Sequence, residues 1–417
     1  MAMTGPINIL FSAICVLALS CVPGAAETRN VATAAAFLDA YRDAAPGDRI
    51  VLEAGNYGSV RLEGGGGAPG QPVIIAARTS ADPAQFSGLV LKEVSHVVVQ
   101  GLLLDYTFTP KDELRAKPFV VESSRDVTLR GLIVDGDMAH DLNAASDGLP
   151  AGFGLTVART DGLTLENSQI RRFWRGLSVR ESKDLRITGN DLYAQRMDGM
   201  NFAQVENVLI EANTIRDFDR STDKRDHADM IQFWTAYTTA PSRNITIRGN
   251  LLHSGTGRFT QSIFMGNELV QRGKAGEEMY YRNVTIENNL IINAHKHGIA
   301  LGASIGVRIA NNTLVHNPAS DGDRNILALY RPQLGVIDAS RDVRVENNIA
   351  AKFNLREGRD DWTMAGNITV QDAAVLKPNH YATLFIGMDA MDPGSFRPKP
   401  GGPLDGTGIG ADVGRWQ

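Results

Sequence analysis

ITIRGNLL (245–252), VTIENNLI (284–291), VRIANNTL (307–314) and VRVENNIA (343–350) are one phrase written four times. Apolar residues alternate with polar ones, a turn follows that carries Gly or Asn, and an aliphatic pair closes the phrase. Earlier copies are VVVQGLLL (97–104), VTLRGLIV (127–134), LTLENSQI (163–170), LRITGNDL (185–192) and VLIEANTI (208–215). With Ser168, Asn190, Asn213, Asn250, Asn289, Asn312 and Asn348 as anchors, successive steps are 22, 23, 37, 39, 23 and 36 residues. The short steps fit one bare coil of a parallel β-solenoid and the long ones the same coil carrying a loop. The repeat therefore predicts an all-β chain, a single right-handed parallel β-helix in which residues equivalent in phase line up in columns.

The 417 residues are 43% apolar, enough for a large core, and the continuous repeat argues for one elongated core rather than several globular units. A net charge of −5 and an isoelectric point near 5.9 argue against a nucleic-acid partner. Residues 8–22 are an apolar run followed by PGAAE, which reads as a secretory signal peptide over 1–26 with cleavage near Ala26. The expected location is therefore secreted or periplasmic, with no stable membrane insertion after cleavage. Both cysteines, Cys15 and Cys21, fall in this segment, so the mature chain relies on its stack and not on disulfides.

Residues 29–44 place Val31, Ala35, Phe37, Leu38 and Tyr41 at helical spacing, an N-terminal capping helix for the open first coil. The solenoid is expected over 27–370, and the Gly/Pro-rich residues 371–417 as an irregular C-terminal cover. A capped solenoid of this kind is expected to be monomeric.

A second strand follows each anchor, with copies at Arg175–Ser178, Asp198–Asn201, Asp229–Gln232, Gln261–Phe264, His297–Ala300 and Arg324–Leu327. The third place is always aliphatic and faces the core, and the first is expected to point outward. That outward column reads Arg175, Asp198, Asp229, Gln261, His297, Arg324, with coils about 4.8 Å apart. Insertions at 137–150, 216–227, 266–282 and 316–323 border the same strand and are expected to wall a groove. Trp174, Phe233, Trp234, Tyr280, Tyr281 and Tyr330 are candidate sugar-stacking aromatics around it.

The opening P-G-D-x-I-x-L-x-x-G-x-Y (46–57) with G-x-P-V-I-I (70–75) resembles secreted bacterial β-helix proteins, a group that includes polysaccharide lyases and uronan epimerases. The phrases AQRMDGMNF (194–202), DHADMIQFW (226–234) and AHKHGIALG (294–302) are similar to the TDG, DD and GHG blocks of polygalacturonase-like glycosidases. The chain departs from those blocks in having no adjacent Asp pair, no RIK block and an extra coil between Asp229 and His297. The resemblance implies an extracellular, acidic polysaccharide as partner.

For β-elimination on a uronate, Arg175, Arg258 or Arg324 would neutralise the carboxylate, as would Ca²⁺ held by Asp198 and Asp229. Lys296 or His297 would be the base, and Tyr280 or Tyr281 the acid. Return of the proton from the other face would make a C5-epimerase. A glycosidase would use Asp198 and Asp229 as acid and base, with His297 orienting one of them. His227 lies between Asp226 and Asp229, two hard oxygen donors that form a candidate calcium pair. Asn201, Gln232, Trp234, Arg258, Gln261, Tyr280, Tyr281 and Arg324 are the expected substrate contacts. A lyase is the leading expectation, and a non-catalytic glycan-binding or surface solenoid is the reading from another class.

Overall fold

The computed structural model describes residue 1 and residues 26–221, 226–322 and 329–416. The expected signal peptide and both cysteines lie outside the described residues, as does Arg324. The strands form three long parallel sheets of 13, 11 and 12 strands, and each coil contributes one strand to each sheet in turn. This is a right-handed parallel β-helix, and its interior is a continuous stack of Val, Ile, Leu and Phe from Ile50 to Val345.

Anchored corners hold the coils in register. The side-chain Oδ1 of Asn213 accepts from both N and Nδ2 of Asn190 (3.0 and 2.9 Å), and the same pair of bonds links Asn213 to Asn250, Asn250 to Asn289, Asn289 to Asn312, and Asn312 to Asn348. Each Nδ2 also donates to a carbonyl of the strand entering the preceding coil's corner, such as Ile210 for Asn250. These buried amides are thereby satisfied, which a fully dry corner requires. The left-handed residue of the turn is the one before the anchor: Gly189, Ala212, Gly249, Asn288, Asn311 and Asn347 all have φ between 53° and 66°.

At the N-terminus, Thr28–Val31 adds a first strand that pairs with Arg49–Leu52. The cap is the helix Ala34–Arg42, whose Thr33 side chain accepts from the Ala36 N–H. It buries Phe37, Ala40 and Tyr41, and Phe37 meets Tyr57 and Phe86 edge-on. Leu38 is exposed and Val31 belongs to the strand, so the apolar stripe of the helix is narrower than its spacing suggested.

In the 12-stranded sheet, Leu252, Ile291 and Leu314 face the interior while Leu251, Leu290, Ile292 and Val315 face out. That outer face is covered by Tyr381, Leu384, Phe385, Phe396, Leu404 and Val413 of the C-terminal segment, which forms a second apolar core. His316 pins the segment: its ring sits 2.5 Å from Asp372 and 2.7 Å from Asp321, and Arg331 pairs with Asp372 as well.

Candidate active site

The 11-stranded sheet carries the column. Strands Phe153–Ala158, Arg175–Arg180, Met200–Ala203, Ala228–Trp234, Thr260–Met265, His297–Leu301 and Gln333–Val336 follow one another in it. Simple alternation would return the first place of each copy to the same side as the aliphatic third place. The ladder skips the second place instead, passing from Asp229↔Gln261 to Ile231↔Ile263. A Cβ on Gly154, Gly199 or Gly298 would run within 2.9 Å of Ile170, Ile215 or Leu314 of the interior. Second and third places both face inward, which releases the first to the outside and explains why Gly or Ser precedes the aliphatic residue in most copies, with Met230 filling the core in the Asp229 copy.

The outward column reads Phe153, Arg175, Asp198, Asp229, Gln261, His297 and, in the sixth coil of the predicted set, Gln333. Gln333 replaces Arg324 because the strand paired with His297–Leu301 is Gln333–Val336, downstream of the phrase that the repeat suggested. The fourth places, among them Asn201, Gln232 and Phe264, also face this surface.

Asp198 and Asp229 lie one coil apart and are 1% and 0% exposed. They are roofed over: Arg175 Nε lies 2.7 Å from Asp198 Oδ2, Asn201 Nδ2 donates to the same oxygen at 2.9 Å, and His227 Nδ1 lies 2.7 Å from Asp229 Oδ2. Asn201 also donates to Gln232 at 2.5 Å and accepts from Trp234 Nε1 at 2.7 Å, which fixes the half-buried indole beside it. Burial raises both carboxyls, Asp229 to about 7, and the neighbouring Asp198 charge adds to the shift of Asp229.

From Asp229 a chain of contacts crosses three coils. His227 faces Asp229 through Nδ1, and its Nε2 meets Gln261 Nε2 at 2.6 Å. With the Nδ1 proton toward Asp229, the Nε2 lone pair accepts from the Gln261 amide. Gln261 Oε1 then accepts from His297 Nδ1. This assignment of tautomers is self-consistent and leaves His297 Nε2 as a bare lone pair. Its ring stacks on Phe264 (5.4 Å) and meets His295 edge-on (5.0 Å). Burial lowers His297 to about 4, with Lys296 and His227 adding to the effect, and lowers His295 to about 3. His227 is raised by its contact with Asp229.

Lys296 is exposed next to this end of the chain. A cavity of about 120 Å³ opens there between Phe259, His295, Lys296, Leu329 and Tyr330. Arg220, which sequence reasoning missed, comes from the insertion before the Asp229 strand; it donates to the Phe259 carbonyl at 3.0 Å and lies over the Phe259 ring. A cleft of about 880 Å³ lies elsewhere, between the C-terminal segment and the asparagine corners, and contains none of these groups.

Of the other expected residues, Tyr281, Phe233 and Trp174 are buried. Tyr281 is fully buried in the 13-stranded sheet and donates to the Gly266 carbonyl at 2.6 Å, so its hydroxyl reaches no ligand. Tyr280, half-buried, ends the helical turn Glu277–Met279 next to it. Phe233 stacks on Phe202 in the core (4.7 Å), and Trp174 is buried under Arg196. Arg258 is exposed in the bend that precedes Thr260.

The calcium pair is not assembled. Asp226 Oδ2 lies 2.8 Å from Arg196 Nε, turned away from Asp229. Asp198, His227 and Asp229 do bring donor atoms within 4.8 Å of one another. Calcium takes six to eight oxygens, whereas this set offers an imidazole, and Arg175 already supplies the positive charge at Asp198. These residues do not fit calcium.

Residues 151–350 match the family described as Right handed beta helix region. The fold is that of a right-handed β-helix. Among solved structures it is similar to the Dettilon tailspike protein, with 13% identity and a TM-score of 0.56 over 80% of this chain and 62% of that one. It is also similar to pectate lyase Pel9A (12%, 0.47, 91% and 90%) and to the A-module of Azotobacter vinelandii mannuronan C-5 epimerase AlgE6 (15%, 0.40, 81% and 95%). At 13% identity the likeness to the tailspike speaks for the β-helix fold alone, and the chain spans about 62% of the tailspike's length. Comparison with curated proteins finds no match. No helix among the described residues is long and apolar enough to cross a membrane.

Proposed function

We propose that this β-helix protein is a secreted or periplasmic enzyme that cleaves an acidic, uronate-containing polysaccharide by β-elimination. The observation that carries the reading is the contact chain Asp229–His227–Gln261–His297, which ends in an imidazole lone pair at the groove. His297 stays neutral down to about pH 4, so the lone pair is present throughout the neutral range.

In this reading His297 Nε2 takes the C5 proton of a uronate residue. The C–H electrons form the C4=C5 double bond, the C4–O4 bond breaks, and its electrons leave on O4. The imidazolium so formed is a strong acid by its lowered pKa, and it returns the proton to O4. Lys296, and Arg220 behind it, balance the uronate carboxylate whose charge builds up as C5 loses its proton. Asp229 and Asp198 act as positioning residues below the surface: Asp229 fixes the His227 tautomer, and Asp198 holds Arg175. Hydrolysis by Asp198 and Asp229 is less well supported, because a general acid must touch the leaving oxygen and both carboxyls are sealed under Arg175 and His227.

The test is the ultraviolet absorbance of the unsaturated product during incubation with polygalacturonate, alginate and other uronate polymers, with and without chelator. Rising absorbance that His297→Ala abolishes and chelator leaves unchanged is expected. New reducing ends without absorbance would indicate hydrolysis, and changed uronate composition without cleavage an epimerase.

A further inference from the structure

On the N-terminal side of Asp198 the outward column changes character. Val120 pairs with Thr156, and the Phe153 N–H donates to the Ala116 carbonyl, so Lys117 holds the place equivalent to Phe153 in the preceding coil. Three successive coils therefore present Lys117, Phe153 and Arg175. Lys117 Nζ lies 5.8 Å and the Arg175 guanidinium 5.3 Å from the centre of the Phe153 ring. Beside them the Arg115 guanidinium lies 5.2 Å from the Trp174 ring, which Arg196 contacts at 4.1 Å.

Arg196 and Arg175 are each matched by a carboxylate, Asp226 and Asp198. Arg115 and Lys117 are exposed, and neither forms an ion pair with a carboxylate of the described residues. Aromatic rings hold cations together here in a chain whose net charge is −5. Grouped cations repel one another, and the two acids nearest in sequence do not offset this: Asp112 accepts from the Thr109 N–H and the Tyr106 hydroxyl, and among the described residues Glu113 pairs with neither cation.

We propose that Arg115 and Lys117 form an anion-binding subsite for acidic sugar units that lie N-terminal to the reacting one. This rests on the reading of the protein as acting on a uronate polymer, and it adds the direction in which the polymer lies: along the solenoid axis, over the coils that precede Asp198. From the Lys117 coil to the His297 coil there are six coil steps, and at about 4.8 Å each this spans roughly 29 Å. A disaccharide is too short to reach both ends, and an octasaccharide is long enough.

The experiment is titration calorimetry on the full chain carrying His297→Ala, with acidic octasaccharides and disaccharides of galacturonate and of alginate and a neutral octasaccharide as control. Adding Arg115→Ala and Lys117→Ala together is expected to weaken acidic octasaccharide binding by about tenfold or more, equivalent to about 1.4 kcal/mol. Disaccharide binding is expected to be unchanged, and added salt to narrow the octasaccharide difference. Lys117→Arg is expected to retain binding. Equal octasaccharide affinity with and without the two cations would overturn the proposal, as would neutral octasaccharide binding as tight as acidic, or no acidic oligomer binding. A His297→Ala chain that still cleaves, while the two cations still govern binding, would refute the elimination chemistry and leave the subsite standing.

Discussion

His227 Nδ1 lies 2.7 Å from Asp229 Oδ2, and the carboxyl beneath it has no exposed surface. An exposed imidazole is thus held by a buried acid whose pKa sits near neutrality, one coil from a second buried acid. The pair orders the site and at the same time stores unfavourable charge.

The cost should be visible in stability. Asp229 has a folded pKa of about 7 against 3.8 for the free group, so its relative contribution is fully present below about pH 4 and lost as pH rises through 7. His295 and His297, at about 3 and 4 against 6.5, act oppositely: their contribution is present above 6.5 and lost as pH falls through 4 and 3. Asp229→Asn is therefore expected to gain on the parent between pH 5 and pH 8, by a few kcal/mol. Denaturant unfolding across that range checks this; a constant difference would show that Asp229 does not titrate there.

Activity should follow His297. A base that is neutral above about pH 4 predicts that the acid limb of kcat/KM falls near 4 and not near the ordinary imidazole value of 6.5. Gln261→Leu removes the acceptor for Nδ1, frees the tautomer and is expected to lower kcat about tenfold to a hundredfold with little change in KM.

The asparagine ladder should be cooperative. Asn250→Ala strips the acceptor from both N and Nδ2 of Asn213 in a dry corner, an expected loss of about 2–4 kcal/mol. Asn250→Ser should cost less, because Ser168 fills the same place in its own coil and accepts from the Leu132 N–H. Thermal unfolding of the two variants tests the order.

Ala212 carries φ 53° where the neighbouring coils place Gly189 and Gly249. Ala212→Gly relieves a left-handed alanine, and a stability gain of about 1 kcal/mol is expected. A loss would mean that its methyl group packs usefully.

The fold was legible because its corners are chemical: an Asn in phase every coil has one place to go, and steps of 22 to 39 residues still return to it. The aliphatic runs at 251–252 and 290–292 carried a further signal that was not used, since adjacent apolar residues fit a sheet covered on both faces. The column Arg175, Asp198, Asp229, Gln261, His297 was legible for the same reason, being part of the repeat. What escaped was carried by insertions with no phase. Arg220 and the Asp226–Arg196 pair belong to such contacts, and the phrase at Arg324–Leu327 imitated the repeat, which hid the register of Gln333. Burial of Asp198 and Asp229 depends on the roof formed by Arg175 and His227, which strand periodicity cannot report.

The most direct test is product absorbance from uronate polymers with the parent chain, His297→Ala and His297→Gln side by side, together with circular dichroism to show that all three are folded. The account predicts unsaturated product from the parent and a loss of about a thousandfold or more in both variants. Folded variants that form unsaturated product at the parent's rate would contradict it.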